Sequence, residues 1–87
     1  MFVILAYDVQ QKRVAKVMKT VKKYLLPVQK SVFEGVITEG QLKHLQQELA
    51  QIVDPEKDSV VIYRLHSEKL TDKLELGRFK QEGRLFL

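Results

Sequence analysis

The residues that could do chemistry lie near the N-terminus, where an apolar run meets one acid and then a basic segment. Residues Met1–Ala6 are apolar, Tyr7 follows, and Asp8 is the first charged side chain, with Lys12 and Arg13 shortly after it. A carboxylate at the tip of a strand, next to cations that attract phosphate, is where Mg²⁺ and a phosphodiester could meet. The same carboxylate could instead cap the first backbone N–H groups of a helix. The residue types leave both roles open.

A single acid is too few for a good Mg²⁺ site. The next acids along the chain are Glu34 and Glu39, and the fold need not bring either of them near Asp8. In a twofold dimer with the two Asp8 side chains facing each other, two carboxylates would share one hydrated ion. The spacing within one chain does not demand such a dimer, so at this point it is a hypothesis.

The positive charge of the chain is concentrated in one segment. The net charge is +4, yet seven basic residues and no acid lie between Val9 and Phe33. These residues are Lys12, Arg13, Lys16, Lys19, Lys22, Lys23 and Lys30. A solvated surface normally mixes both signs of charge, whereas a one-sign patch is the footprint of a polyanion binder, nucleic acid above all. The pattern favours nucleic acid over a face that serves only solubility.

The chain of 87 residues is long enough for one small domain, 1–87. It has no Cys, which excludes a disulfide framework and a thiolate metal site and fits a cytoplasmic protein. The apolar N-terminus lacks a basic leader and a small-residue cleavage site, and its first acid comes at position 8. We therefore expect neither a signal peptide nor a membrane span.

Apolar periodicity predicts five elements. They are a central strand over Phe2–Val9, a helix over Lys12–Tyr24, an extended segment Val28–Thr38 with a break near Val32–Gly35, a helix over Glu39–Val53, and a strand over Ser59–His66. In the first helix, the apolar stripe Val14, Val17, Met18 and Val21 lies opposite the basic stripe Lys12, Lys16, Lys19 and Lys23. Thr38 and Gln41 are spaced as a capping box for the second helix.

This order predicts an α+β fold, a ferredoxin-like βαββαβ sandwich with two helices on one face of a mainly antiparallel sheet. The tail, residues 66–87, ends in the apolar triplet Leu85–Leu87. An apolar terminus usually finds a surface to cover, either on its own sheet or on a partner.

Several segments closely resemble the small universal CRISPR-associated adaptation protein, the second of the two proteins shared by spacer-acquisition systems. They are VILAYDV, KRVAKVMKTVKKY, VQKSVFEG, ITEGQL and DPEKDSVVIYRL, in the expected order from Phe2 to about Leu65. The most specific pieces are Tyr7-Asp8 and the segment from Val28 to Gly35. The turn after Asp8 is shorter than in many members and offers no second metal ligand.

The resemblance implies a homodimer in which an additional short C-terminal strand of each chain adds to the partner's sheet. It also implies a Mg²⁺-dependent endonuclease that cuts single-stranded RNA or duplex DNA. Asp8 would be the catalytic residue and metal ligand, with one ion shared across the dimer. Tyr7, Arg13 and Phe33 would line the same cleft.

The family has a second, non-catalytic role, in which a dimer bridges dimers of the CRISPR-associated integrase on spacer DNA. Two alternatives therefore stay open. One is a purely non-catalytic DNA scaffold, in which the basic stripe, Lys22 and Lys30 grip phosphates without reading sequence. The other is a related ferredoxin-like toxin that cleaves RNA.

Overall fold

A four-stranded sheet and two helices make up the part of the chain that the structure describes. A computed structural model describes residues 1–65. The strands are β1 (Phe2–Asp8), β2 (Leu26–Gln29), β3 (Val32–Val36) and β4 (Ser59–Leu65), and the helices are α1 (Gln11–Val21) and α2 (Glu39–Ala50). Their order, β1-α1-β2-β3-α2-β4, confirms the predicted ferredoxin-like arrangement. The predicted C-terminal strand falls on residues 66–87, outside the described residues.

Strand β1 lies inside the sheet, as its continuous apolar run predicts. The strand order is β2-β3-β1-β4, and each neighbouring pair is antiparallel. Ala6 lies between Val32 of β3 and Val61 of β4. At the end of β1, Asp8 lies opposite Ser59. The two ladders on either side of β1 fix the face to which each of its side chains points.

Alternate residues of the sheet point to opposite faces. Val3, Leu5 and Tyr7 belong to the core, together with the buried side chains of both helices. The other sheet face, here called the open face, carries apolar side chains and two acids, Asp8 and Glu34. Its residues include Ile4, Ala6, Asp8, Leu26, Val36, Val61 and Tyr63. Leu26 is 73% exposed and Val36 70%, whereas Phe2 and Val32, which pair with residues of the same face, are buried. The helices thus leave part of the apolar surface of this face exposed.

Helix α1 buries one side and exposes lysines on the other. Its buried residues are Val17, Thr20 and Val21. The prediction that Met18 joins the buried stripe is wrong, because Met18 is 38% exposed. The buried side of the helix is centred on Val17, with Thr20 and Val21 about 60° and 40° to either side, whereas Met18 lies about 100° from Val17. The helix ends at Val21, before the predicted end at Tyr24.

The predicted break in the extended segment exists, but at a different position. β2 and β3 are separated at Lys30–Ser31, directly before the predicted position near Val32–Gly35. Ser31 has a φ of 62°, a left-handed conformation that reverses the chain there. The pairing of the two strands also shifts between Pro27 and Gln29, which is consistent with a proline that lacks an N–H for the ladder.

Helix α2 begins with the predicted capping box. The Gln41 N–H donates to Thr38 Oγ1 at 3.1 Å, and the Thr38 N–H donates to Gln41 Oε1 at 2.9 Å. The helix ends at Ala50, earlier than the predicted Val53, and turns and bends follow at 51–53 and 55–57. Neither helix of residues 1–65 has the length and apolar content that a membrane crossing requires.

Candidate functional site

Asp8 is an exposed carboxylate at the end of β1, on the open face. The N-cap of α1 is Gln10, and no side-chain hydrogen bond caps the helix there. The alternative in which Asp8 caps α1 is therefore wrong. The chain uses Val9 and Gln10 to pass from the sheet into the helix, so Asp8 comes too early to reach the first helical N–H groups.

The other acids suggested by the sequence do not join Asp8. Glu34 lies on the open face opposite Ile4, four residues along β1 from Asp8, or roughly 13 Å at the rise of a strand. Glu39 accepts a hydrogen bond from Arg64 at 2.6 Å. Within residues 1–65, no three His, Cys, Asp or Glu side chains form a group that could hold a metal ion. A metal ion at Asp8 would therefore need donors beyond this part of one chain.

A second carboxylate, Asp58, lies in the loop before β4 and holds the start of α1. Its two oxygens accept from Arg13: Nε donates to Oδ2 at 2.6 Å and Nη2 to Oδ1 at 3.0 Å. The backbone N–H of Gln10 donates to Oδ1 at 2.9 Å, and that of Asp54 to Oδ2 at 2.8 Å. The Asp58 side chain is fully buried and that of Arg13 is 16% exposed. We call this pair, Arg13 and Asp58, the clamp.

The clamp changes the role of Arg13. The sequence and the resemblance predict that Arg13 lines a cleft and contacts nucleic acid, yet its guanidinium forms a two-pronged ion pair with Asp58 and also donates to Gln10 Oε1 at 3.0 Å. Such bidentate geometry is the strong form of an arginine–carboxylate pair. The structure thus gives Arg13 a partner inside the chain, and its contact with nucleic acid stays a prediction.

The ionisation of Asp58 follows from these partners. The Arg13 hydrogen bonds, and then the backbone N–H groups of Asp54 and Gln10, hold the pKa of Asp58 well below its ordinary value, while burial opposes them. Asp58 in turn raises the pKa of Arg13. Both groups therefore stay charged at neutral pH, so the pair keeps both of its charges there.

The lysines of the basic stripe are not equivalent. Lys12, Lys16 and Lys19 are exposed along the outer side of α1. Lys23 forms an ion pair with Glu48 of α2, and Glu48 also accepts from the Tyr24 hydroxyl. The first three lysines span about 10 Å of helix and form the part of the stripe that faces outward without a partner from α2.

The remaining predicted site residues differ in their exposure and position. Lys30 is exposed at the turn between β2 and β3, next to Ser31, and not on α1. Tyr7 and Phe33 are buried, and their rings stack with centroids 6.0 Å apart. Burial raises the pKa of Tyr7. Both rings are core residues here, and a role for them in a nucleic-acid cleft stays a prediction.

Asp58 is the residue that sequence reasoning misses. The sequence contains a signal for it, because Asp58 directly precedes the apolar strand that begins at Ser59. If that strand pairs antiparallel with β1, Asp58 must lie near the end of β1. The register that makes Asp58 a neighbour of Gln10 and Arg13 depends on strand pairing, which local periodicity does not specify.

Comparison with known proteins identifies the family. The family model of the CRISPR-associated protein Cas2 matches residues 1–73. A Thermotoga maritima protein named CRISPR-associated endoribonuclease Cas2 is 43% identical over 82 residues, covering 94% of each chain. A protein of the same name from Dictyoglomus turgidum is 43% identical over 77 residues, covering 88% of each.

Solved structures agree with the sequence match. A crystal structure described as that of Cas2 superposes with a TM-score of 0.83 at 45% identity, covering 90% of this chain and 87% of that one. The fold and these matches define a CRISPR-associated protein with a ferredoxin-like sheet. The chain belongs to the Cas2 family, as its motifs predict, and this membership decides against the RNA-cleaving toxin.

The clamp predicts a specific acid dependence of stability. Because the pKa of Asp58 is lower in the folded protein than in the unfolded chain, its carboxylate stabilises the fold above the unfolded value of about 4. That contribution is lost progressively as pH falls from there toward the folded pKa. We expect Asp58→Asn to lower the urea midpoint at pH 7, and its difference from wild type to shrink below pH 4.

The matched control is Glu56→Gln, which removes an exposed carboxylate from the same loop. Urea titrations of the three proteins from pH 7 to pH 2 test the prediction. An Asp58→Asn deficit that stays constant over this range would contradict it.

Proposed function

We propose that this chain is a Mg²⁺-dependent endonuclease that works as a homodimer on single-stranded RNA or duplex DNA. The observation that carries the proposal is the exposed carboxylate of Asp8 at the end of a central strand, on an open apolar face. The relatives named above are called endoribonucleases, which supports phosphodiester cleavage. Asp8 is the metal ligand and the catalytic residue in this proposal.

The chemistry of Asp8 suits Mg²⁺ even though one chain offers only one carboxylate. Mg²⁺ keeps several waters and commonly binds one or two carboxylates together with substrate phosphate. Two Asp8 side chains in a dimer supply that number, so one hydrated ion is shared across the twofold axis. When bound, Mg²⁺ lowers the pKa of a water and stabilises charge on the scissile phosphate.

The open face is the surface on which we place the second copy. Leu26, Val36, Val61 and Tyr63 are large apolar side chains with more than 40% exposure, and Asp8 lies on the same face. Pairing two such faces removes this apolar area from water and brings the two carboxylates toward one axis. A second copy therefore accounts for the apolar surface and for the missing donor together.

The lysines of α1 hold the polynucleotide in this proposal. Lys12, in the first turn of α1, is the exposed cation nearest in sequence to Asp8, and Lys16 and Lys19 continue outward along the helix. They attract phosphates without reading sequence. The same surface suits the adaptation role, in which a dimer bridges integrase dimers and holds duplex spacer DNA.

A purely non-catalytic scaffold is the second candidate. It is favoured by the distance of Glu34 and Glu39 from Asp8, which leaves each chain with one acid at the site. Under this alternative, the lysines bind DNA and Asp8 is an interface residue. The two candidates differ in what a change at Asp8 does.

Asp8→Asn should abolish Mg²⁺-dependent cleavage and leave the fold intact, because the amide keeps the shape of the side chain but loses the charge that holds the ion. The measurement is cleavage of single-stranded RNA and of duplex DNA across a Mg²⁺ titration, with circular dichroism as the control for folding. Full activity in Asp8→Asn after stringent purification would place the activity in a contaminant. Spacer acquisition that survives Asp8→Asn would support the scaffold.

The lysines should determine the salt dependence of binding. Lys16→Gln/Lys19→Gln should flatten the plot of log affinity for single-stranded RNA against log salt by about 1.4, since each lost phosphate contact is worth about 0.7. The matched control, Lys43→Gln/Lys57→Gln, removes the same charge from exposed positions outside α1. An equal change of slope in both variants would rule out α1 as the binding surface.

The open face should control the oligomeric state. Val61→Lys places a charge opposite Ala6 on this face and should convert the dimer to monomer in sedimentation velocity. Met18→Lys places the same charge on an exposed apolar position of α1 and should leave the dimer unchanged. A wild-type protein that sediments as a monomer would refute the shared Mg²⁺ site.

A further inference from the structure

The clamp lies directly beside the segment that carries Asp8. Asp8 pairs across the sheet with Ser59, and Asp58 precedes Ser59. On the other side, Asp58 accepts from the N–H of Gln10, two residues after Asp8. The backbone around Asp8 is thus tied to Asp58 through the ladder and through the turn.

Arg13 makes this connection rigid. Its side chain reaches from the first turn of α1 to both oxygens of Asp58 and also to Gln10 Oε1. With the Asp54 N–H, the buried carboxylate of Asp58 accepts four hydrogen bonds from three different residues. A carboxylate satisfied in this way is costly to displace, because any partner that left would leave a buried charge underbonded.

We propose that Arg13 and Asp58 are positioning residues for Asp8: they hold the turn after β1 so that the Asp8 carboxylate is presented at a fixed place on the open face. This inference rests on the proposed function, in which Asp8 binds the metal ion. It gives the basic residue at the opening of α1 a task that differs from phosphate binding.

Holding a ligand by its neighbours matters for affinity. A single exposed carboxylate on a loose turn would have to be ordered each time it binds an ion, and partners that orient a ligand are typically worth 10- to 100-fold in metal affinity or activity. The clamp orders the turn before any ion arrives. Loss of the clamp should therefore weaken metal binding even where the protein remains folded.

The chain offers a matched control in the ion pair of Lys23 and Glu48. Like the clamp, this pair joins a basic residue to a carboxylate on another element. Lys23 follows α1, however, and lies ten residues after Arg13, roughly 15 Å along the helix direction. Glu48→Gln removes one carboxylate charge, as Asp58→Asn does. Only Asp58→Asn removes it beside Asp8.

The test measures Mn²⁺ binding by electron paramagnetic resonance and amide hydrogen exchange of residues 8–10 by NMR, on the full chain below its unfolding temperature. Asp58→Asn should weaken Mn²⁺ binding about tenfold and speed exchange at residues 8–10 about tenfold. Arg13→Lys keeps the charge but loses the two-pronged ion pair of the guanidinium. It should give smaller changes in the same direction. Glu48→Gln should change neither quantity.

Wild-type Mn²⁺ affinity and exchange in Asp58→Asn would overturn the inference, as would equal changes in Glu48→Gln. If Asp58→Asn does not fold, Arg13→Lys decides the question by the same two measurements. Mn²⁺ binding that is unchanged in Asp8→Asn would refute the proposed metal site instead. In that case the exchange rates alone decide whether the clamp positions residues 8–10.

Discussion

The pairing register of β1 is the constraint on which the rest of the structure depends. With Leu5 opposite Phe33 and Ile62, the side chains of Val3, Leu5 and Tyr7 enter the core. The alternate residues, Asp8 among them, then face away from the helices. A slip of one residue would exchange the two sets, burying a carboxylate and exposing the core. The apolar requirement of the core therefore also determines where the acid is displayed.

The register of β1 also determines which residues lie beside the end of the strand. Pairing Asp8 with Ser59 brings the preceding residue, Asp58, to the start of α1, where Arg13 and the Gln10 N–H meet it. A buried carboxylate without those donors would carry a large desolvation cost. The clamp is consistent only with this register, so the ion pair and the sheet support the same arrangement.

The periodicity of apolar residues is sufficient to predict the helices and strands, because the residues of a buried helix stripe or sheet face recur at a fixed interval along the sequence. The strand at Phe2, the capping box at Thr38 and the order of elements were predictable for this reason. The exact position of the break at Ser31 is not predictable from the apolar pattern, because it depends on one backbone conformation, φ 62°, that the pattern does not encode. The internal partner of Arg13, 45 residues away, is not predictable from charge alone, and its predicted contact with nucleic acid stays a prediction.

Residues 8–19 form one continuous segment of the sequence, but in the structure they contribute to two separate surfaces. Asp8 lies on the open face, whereas Lys12, Lys16 and Lys19 lie on the outer side of α1. The core, in which α1 buries Val17 and Val21, separates these two surfaces. Under the proposed function, a polynucleotide that contacts both surfaces would pass around the start of α1, where the clamp lies. Under the proposed function, binding and cleavage draw on different residues, because phosphates attracted along α1 would add affinity whether or not a metal ion is held at Asp8. Under that proposal, loss of the acid would leave the lysines in place, whereas loss of the β1 register would disrupt both surfaces.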